Sequence, residues 1–210
     1  MRQLAALALL ALLACLAWPG TSHAGHARGP VGETSLFFNF GVIEPYDNDF
    51  VEIDTAPRFS FGFLYRSNFR WSAGARFEYL GWDGTAPPVP GLVSVSDVWR
   101  TTGNMSFDLV RGPFSPFVLF DAGAAHYHFA DFAYSYGYPG TFYREGYAVT
   151  PTFGAGLGIG AREGPVRFSV SGEWITFWDD LPNSFSLMGG VEFSLTPPPP
   201  PPPPPPRRRH

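Results

Sequence analysis

The chain is predicted to be all-β: an eight-stranded antiparallel up-and-down transmembrane β-barrel. Three observations predict it. Eight segments alternate apolar with small or polar residues, the period of a strand and not of a helix. The links between them are short and long in strict turn, as a meander barrel requires. The charged residues of those segments fall on the polar face, which suits a closed polar lumen and an apolar exterior against lipid.

The elements follow in order. Met1-Arg2 and the apolar run Leu4 to Ala17, then Ser22-His23-Ala24, read as a secretory signal over residues 1–24. A lipoprotein signal is the rival, since Leu12-Leu13-Ala14-Cys15 resembles a lipobox. Residues 25–33 are a lead-in, 34–196 the barrel and 197–210 a proline-rich tail. Cys15 is the only cysteine, so a cleaved chain has no disulfide framework and no thiolate metal site.

Strand one is Ser35 to Ile43, with Leu36, Phe38, Phe40 and Val42 on the lipid face. Strand two is Arg58 to Arg66. Its Phe59, Phe61, Phe63 and Tyr65 are costly to expose to water and ordinary against lipid. Strand three, Arg70 to Leu80, sets Trp71, Ala73, Ala75, Phe77 and Tyr79 opposite Ser72, Gly74, Arg76 and Glu78. Strand four, Val98 to Leu109, sets Trp99, Met105 and Phe107 opposite Arg100, Thr102, Asn104, Ser106 and Asp108. Strand five, Ser115 to Ala125, turns Val118, Phe120, Ala122 and Ala124 outward and Asp121 inward. Strand six, Thr150 to Arg162, alternates Phe153, Ala155, Leu157, Ile159 and Ala161 with Gly154, Gly156, Gly158 and Gly160. Strand seven, Val166 to Phe177, sets Phe168, Val170 and Trp174 opposite Arg167, Ser169, Ser171 and Glu173. Strand eight, Ser184 to Leu195, turns Phe185, Leu187, Val191 and Phe193 to lipid and Met188, Glu192 and Ser194 to the lumen. Most strands reach the roughly 9–11 residues a tilted membrane strand needs.

The short links are Ser67–Phe69, Val110–Phe114 and Glu163–Pro165, rich in the turn residues Asn, Gly and Pro. The long links are Glu44–Pro57, Gly81–Asp97, His126–Val149 and Trp178–Asn183. A soluble lipocalin-like barrel would have to crowd its inside with Phe and Trp. The charges exclude that orientation: Arg66, Arg76, Glu78, Arg100, Asp108, Asp121, Arg162, Arg167, Glu173 and Glu192 share the polar face, five of each sign.

Several stretches carry a resemblance. Gly190-x-x-Phe193-x-Leu195 resembles the C-terminal signal by which bacterial outer-membrane barrels are recognised for assembly. With Pro116-Phe117-Val118, Gly123-Ala124-Ala125 and the glycine ladder Gly154 to Gly160, the chain from Ser35 to Leu195 resembles the OmpA/OmpX-type eight-stranded outer-membrane barrels, the outer-membrane protein β-barrel domain family. The resemblance implies a Sec-exported bacterial outer-membrane protein. Its expected partners are outer-membrane lipid, lipopolysaccharide and the barrel-assembly machinery, and it is expected to be a monomer. Proteins of that type often carry a proline-rich linker to a peptidoglycan-binding domain. Here Pro197 to Pro206, about 31 Å as polyproline II, lead only to Arg207-Arg208-Arg209-His210. The tail is either a periplasmic spacer touching an anionic polymer such as peptidoglycan, or dispensable.

The function expected is structural, in envelope integrity or surface interaction, with a lumen plugged by Arg76, Glu78, Arg100, Asp121, Arg167, Glu173 and Glu192. Arg76 is expected to pair across the lumen with Asp121 or Glu173. Glu44, Asp47, Asp49, Glu52 and Asp54 form a candidate cation-binding loop, against the plainer reading of a solvated acidic loop. Tyr134, Tyr136, Tyr138 and Tyr143 are candidate contact aromatics of the third loop. From Gly25 to Thr196 there are 10 Arg, no Lys and 18 Asp plus Glu, a net of −8 that argues against nucleic acid. Walker, zinc and dinucleotide motifs are absent, so neither cofactor nor metal is expected. His126 and His128 share a strand face, where Asp131 or Glu145 would have to complete any metal site. No catalytic residue is expected. The enzyme alternative is a lipid A deacylase-like barrel, whose His-x-Ser-Asn motif is replaced here by His126-x-His128-Phe129. A narrow channel is the third reading.

Overall fold

The computed structural model describes residues 32–46, 55–67, 70–83, 93–110, 112, 114–134, 141–178 and 181–196. For 83, 93–94, 131–134 and 141–144 it describes the backbone only. The period-two alternation produces eight strands: β1 Glu33–Pro45, β2 Ala56–Arg66, β3 Trp71–Asp83, β4 Val93–Asp108, β5 Phe114–Tyr134, β6 Thr141–Glu163, β7 Val166–Phe177 and β8 Ser184–Ser194. Each pairs antiparallel with its neighbour in sequence, and β1 pairs with β8 from Ser35↔Ser194 to Pro45↔Ser184, closing the barrel. Closure leaves no sheet edge in the region that would lie in lipid.

The expected faces are those of the structure. Phe40, Phe61, Phe120, Leu157 and Phe168 are exposed on the outside, Leu157 to 65%. Aromatic pairs mark both ends of this apolar belt: Trp71–Phe107 at 4.7 Å on one side, Tyr79–Trp99 at 4.8 Å and Tyr46–Trp174 at 4.5 Å on the other. Such girdles sit where membrane meets water. The β6–β7 link is a two-residue turn in which Gly164 takes φ +59°, a value side-chain-bearing residues rarely adopt, ahead of Pro165.

The main differences from expectation lie at strand ends. β1 begins at Glu33, which therefore belongs to the barrel and not to a lead-in. β3 continues to Asp83 and β4 starts at Val93. The expected third loop, His126–Val149, is mostly ladder: β5 and β6 stay paired from His126↔Val149 to Tyr134↔Thr141. Its composition conceals this, because its aromatics are good strand formers placed where a loop was due.

The interior is not uniformly polar either. Beyond the charges, towards the long connections, Ile43, Leu80, Trp82, Val95, Val98, Ala125, Tyr127, Ile175, Phe177 and Leu181 form a buried apolar core. Tyr127, one of the aromatics of that expected loop, points into it and is 4% exposed. A β-bulge shapes the wall of this core: Ser96 and Trp99 of β4 lie opposite His128 and His126 of β5, with Asp97 at φ +51° in the extra step. Val95 and Val98, three apart, are consequently both buried.

Candidate functional site

The polar face of the strands delivers six arginines and six carboxylates into the barrel, and they separate into two tiers. The tier nearer the apolar core takes Arg58 from β2, Arg76 and Glu78 from β3, Arg100 from β4, Asp121 from β5 and Glu173 from β7. Glu78 is its centre. It meets Arg58 and Arg100 in close ion pairs and Arg76 at 3.3 Å. Arg76 Nη1 donates to Glu173 Oε2 at 3.0 Å and Oε1 at 3.1 Å, and lies 3.5 Å from Asp121 Oδ2. Arg58 Nη2 is 2.7 Å from Glu173 Oε2, and Arg58 Nη1 donates to Ser186 Oγ at 2.8 Å. Arg100 Nη2 donates to Asp121 Oδ1 at 2.5 Å and its Nε to Thr152 Oγ1 at 3.0 Å. Arg58, Glu78, Arg100 and Glu173 are sealed from solvent at 0–1% exposure. Buried charge persists only when paired and hydrogen-bonded, and this cluster meets that condition with groups from five strands.

The second tier lies by the short turns. Arg162 donates to both oxygens of Glu33, at 2.9 and 2.7 Å. Asp108 accepts from Arg66 at 2.8 Å and from Arg167 at 3.0 Å through different oxygens. Glu192 accepts from Ser35 Oγ at 2.7 Å and lies 3.6 Å from Arg167. Between the tiers Phe37, Asn39, Leu64, Asn104, Ser106 and Leu119 enclose most of a cavity of about 50 Å³, a volume that holds water.

The glycine ladder explains how such charges fit inside eight strands. A Cβ at Gly154 would stand 2.6 Å from Asp121 Oδ2, and one at Gly160 would stand 2.3 Å from Arg167 Nε. The wall of β6 is bare so that its neighbours' ionic groups have room.

Of the seven lumen charges named from sequence, Arg76, Glu78, Arg100, Asp121 and Glu173 come together in one tier, and Arg167 and Glu192 lie in the other. Arg58 and Glu33 were not named. Both stand at strand ends, where alternation has few neighbours to count. Arg58 nonetheless shares parity with Ser60, Gly62 and Arg66. In the acidic first loop only Glu44 lies among the described residues. Asp47, Asp49, Glu52 and Asp54 lie outside them, as do Tyr136, Tyr138, the leader 1–24 and the tail 197–210. Tyr134 and Tyr143 pair two steps apart on the ladder, Tyr134 with Thr141 and Tyr143 with Phe132.

On the outer surface, level with Trp99 of the girdle and one step beyond it, His126 and His128 do share a face. His128 Nε2 is 2.9 Å from Glu145 Oε1, and its Nδ1 is 3.4 Å from Ser96 Oγ. Among the described residues no three His, Cys, Asp or Glu side chains gather as metal ligands. The position of Ser96 was missed because the bulge reverses its side relative to Arg100.

With this geometry in hand, the class is clear: a closed barrel with an apolar exterior, ionic interior and aromatic girdles has the fold of the eight-stranded outer-membrane barrels. Solved structures agree. The attachment invasion locus protein Ail of Yersinia pestis is similar at TM-score 0.52 and 14% identity, over 79% of this chain and 99% of that one. Neisserial surface protein A is similar at TM-score 0.53 and 11% identity, over 76% of this chain and 96% of that one. No protein-family model matches the chain, and neither does any curated protein sequence.

Proposed function

We propose that this is a sealed outer-membrane barrel of the bacterial envelope, with a structural or surface-contact role carried by its outer end. The observation that carries the reading is the stacking of two charge-balanced tiers beneath an apolar core. A channel needs a continuous wet path of useful width. Six guanidiniums clamped to six carboxylates, with Trp82 and Phe177 above them, oppose one. An eight-stranded barrel is just wide enough for side chains to fill it. The sealed lumen therefore directs function to the surfaces: lipid and lipopolysaccharide around the belt, contacts at the outer β5–β6 extension and acidic first loop, and an anionic polymer for the tail. The fold shared with a protein named for attachment and invasion supports assigning contact to that end.

Planar-bilayer recording of the purified folded chain tests the sealed lumen. No steady conductance is expected; a large, stable open level would overturn the reading and favour a channel.

A further inference from the structure

Beyond the sealed barrel, we propose that Ser96, His128 and Glu145 form an outward-facing hydrolytic site that cleaves acyl esters of lipids at the outer rim of the membrane. The three come from three adjacent strands. His128 and Glu145 are outward on β5 and β6, and Ser96 is brought outward by the bulge in β4. In an unbulged strand Ser96 would share the lumen face of Val98 and Arg100. The extra step at Asp97, φ +51°, turns it to face His128. A strained non-glycine residue beside a serine with this partner is a conformation that functional sites retain.

The hydrogen bonds have a consistent direction. His128 Nε2–H donates to Glu145 Oε1 at 2.9 Å, which holds the tautomer that leaves the Nδ1 lone pair free to accept from Ser96 Oγ–H at 3.4 Å. Tyr147 sets its ring edge-on against the imidazole at 5.1 Å. The base is thus oriented by one carboxylate and aimed at one hydroxyl, the arrangement by which a serine becomes a nucleophile.

A path for substrate leads from this group into the membrane. Below the Trp99–His126 row, the lipid face of β4 and β5 carries only small side chains: Thr101 opposite Ala124, then Gly103 opposite Ala122. A Cβ at Gly103 would meet nothing nearer than the Ala122 carbonyl at 3.9 Å. Phe77 of β3 and Phe153 of β6, both exposed, wall this trough, and Met105 and Phe120 end it. Trp99 packs on Tyr79 of β3, away from the β5 side. An acyl chain lying in the trough would bring its ester up to Ser96.

The reaction balances with water as the only co-reactant. Ser96 Oγ bonds to the ester carbonyl carbon while its proton passes to His128 Nδ1. The carbon–oxygen bond to the alcohol breaks, and His128 returns the proton to that oxygen. Water then attacks the acyl-serine, His128 takes a water proton, the acyl–Ser96 bond breaks and Ser96 recovers its hydrogen. The products are the alcohol and the free fatty acid. Ser96 and His128 are catalytic residues, and Glu145 is a positioning residue.

The test uses the full chain folded in detergent. A fluorophosphonate probe with peptide mass analysis reads the nucleophile. Mass spectrometry reads fatty acid released from vesicles of phosphatidylethanolamine and, separately, of lipopolysaccharide. Labelling of Ser96 and release from at least one vesicle type are expected, and the type that responds identifies the ester's source. Ser96→Ala and His128→Gln should each lower release on the order of 10²–10⁴-fold. Glu145→Asp should recover part of what Glu145→Gln loses, which a merely structural role would not produce. Gly103→Phe, which fills the trough, should suppress release of long chains while sparing p-nitrophenyl acetate. Heat-modifiable gel migration verifies that each variant is folded. A folded unmodified chain that takes no label and releases no fatty acid from either vesicle would overturn the proposal, as would release that survives Ser96→Ala undiminished.

Discussion

The two ionic tiers have the same composition, three arginines and three carboxylates each, and differ in architecture. The inner one converges on a single acceptor, Glu78, itself sealed from solvent and met by three guanidiniums, of which only Arg76 borders the inter-tier cavity. The outlying one is a ring near the turns, running Glu33, Arg66, Asp108, Arg167, Glu192, Arg162 and back to Glu33, with side chains 7–10% exposed at Arg66, Arg167, Asp108 and Glu192. Equal charge counts therefore carry unequal stakes. Where water cannot substitute, losing one partner strands the others; at the mouth, water can take its place.

The largest effect should follow from Glu78→Ala, which leaves three buried guanidiniums with only Asp121 and Glu173. A loss of about 3–5 kcal/mol is expected, read by urea unfolding in lipid vesicles with tryptophan fluorescence. Turning the comparison inside out, Leu157→Arg puts an unpaired charge on the lipid face and should cost about 2–4 kcal/mol, while Ser169→Arg beside the inter-tier cavity costs less. Equal tolerance of the two would contradict the face assignment. Gly154→Ala crowds the Asp121 carboxylate and should cost about 1–3 kcal/mol by overpacking. Smallest is Asp108→Ala in the tier by the turns, about 1–2 kcal/mol and less in high salt. If Asp108→Ala proved as damaging as Glu78→Ala, the distinction between the tiers would fail.

Much of this was legible from alternation alone, and the limits of legibility have physical causes. Parity assigns a residue to inside or outside, so Arg76, Asp121 and Glu173 were readable as lumen charges able to meet. Parity carries no depth, but counting along each strand from the short turns does. It sets Arg76, Asp121 and Glu173 at one level, Glu78 and Arg100 slightly higher, and Arg66, Asp108, Arg162, Arg167 and Glu192 near the mouth, the division into tiers that the structure shows. Nor does parity survive a bulge. Val95 and Ser96 fall on their actual faces only once the extra step at Asp97 is known. Strand ends weaken it for a third reason, since Glu33 opens β1 with no strand residue before it to fix its phase, whereas Arg58 shares the parity of Ser60 and Gly62. The outer extension of β5 and β6 was hidden by expectation of a loop where a long link was due. The apolar core was partly readable: Ile175 and Phe177 share parity with Glu173, and only their greasiness argued against the lumen.

The seam between β1 and β8 has a kinetic meaning. Ser35 donates to Glu192 across 157 residues of chain, and Arg162 holds Glu33 across 129. Such long closures cost entropy that is recovered only when both ends are already in place, so they form late. Until the ends meet, Glu33 keeps Arg66 but lacks Arg162, and Glu192 keeps Arg167 but lacks Ser35, so a half-wound sheet carries incompletely satisfied carboxylates at both of its free margins. Completion is thus discriminated from near-completion by charge. The same late step, run backwards, would have to expose those carboxylates first, which makes the finished cylinder slow to come apart.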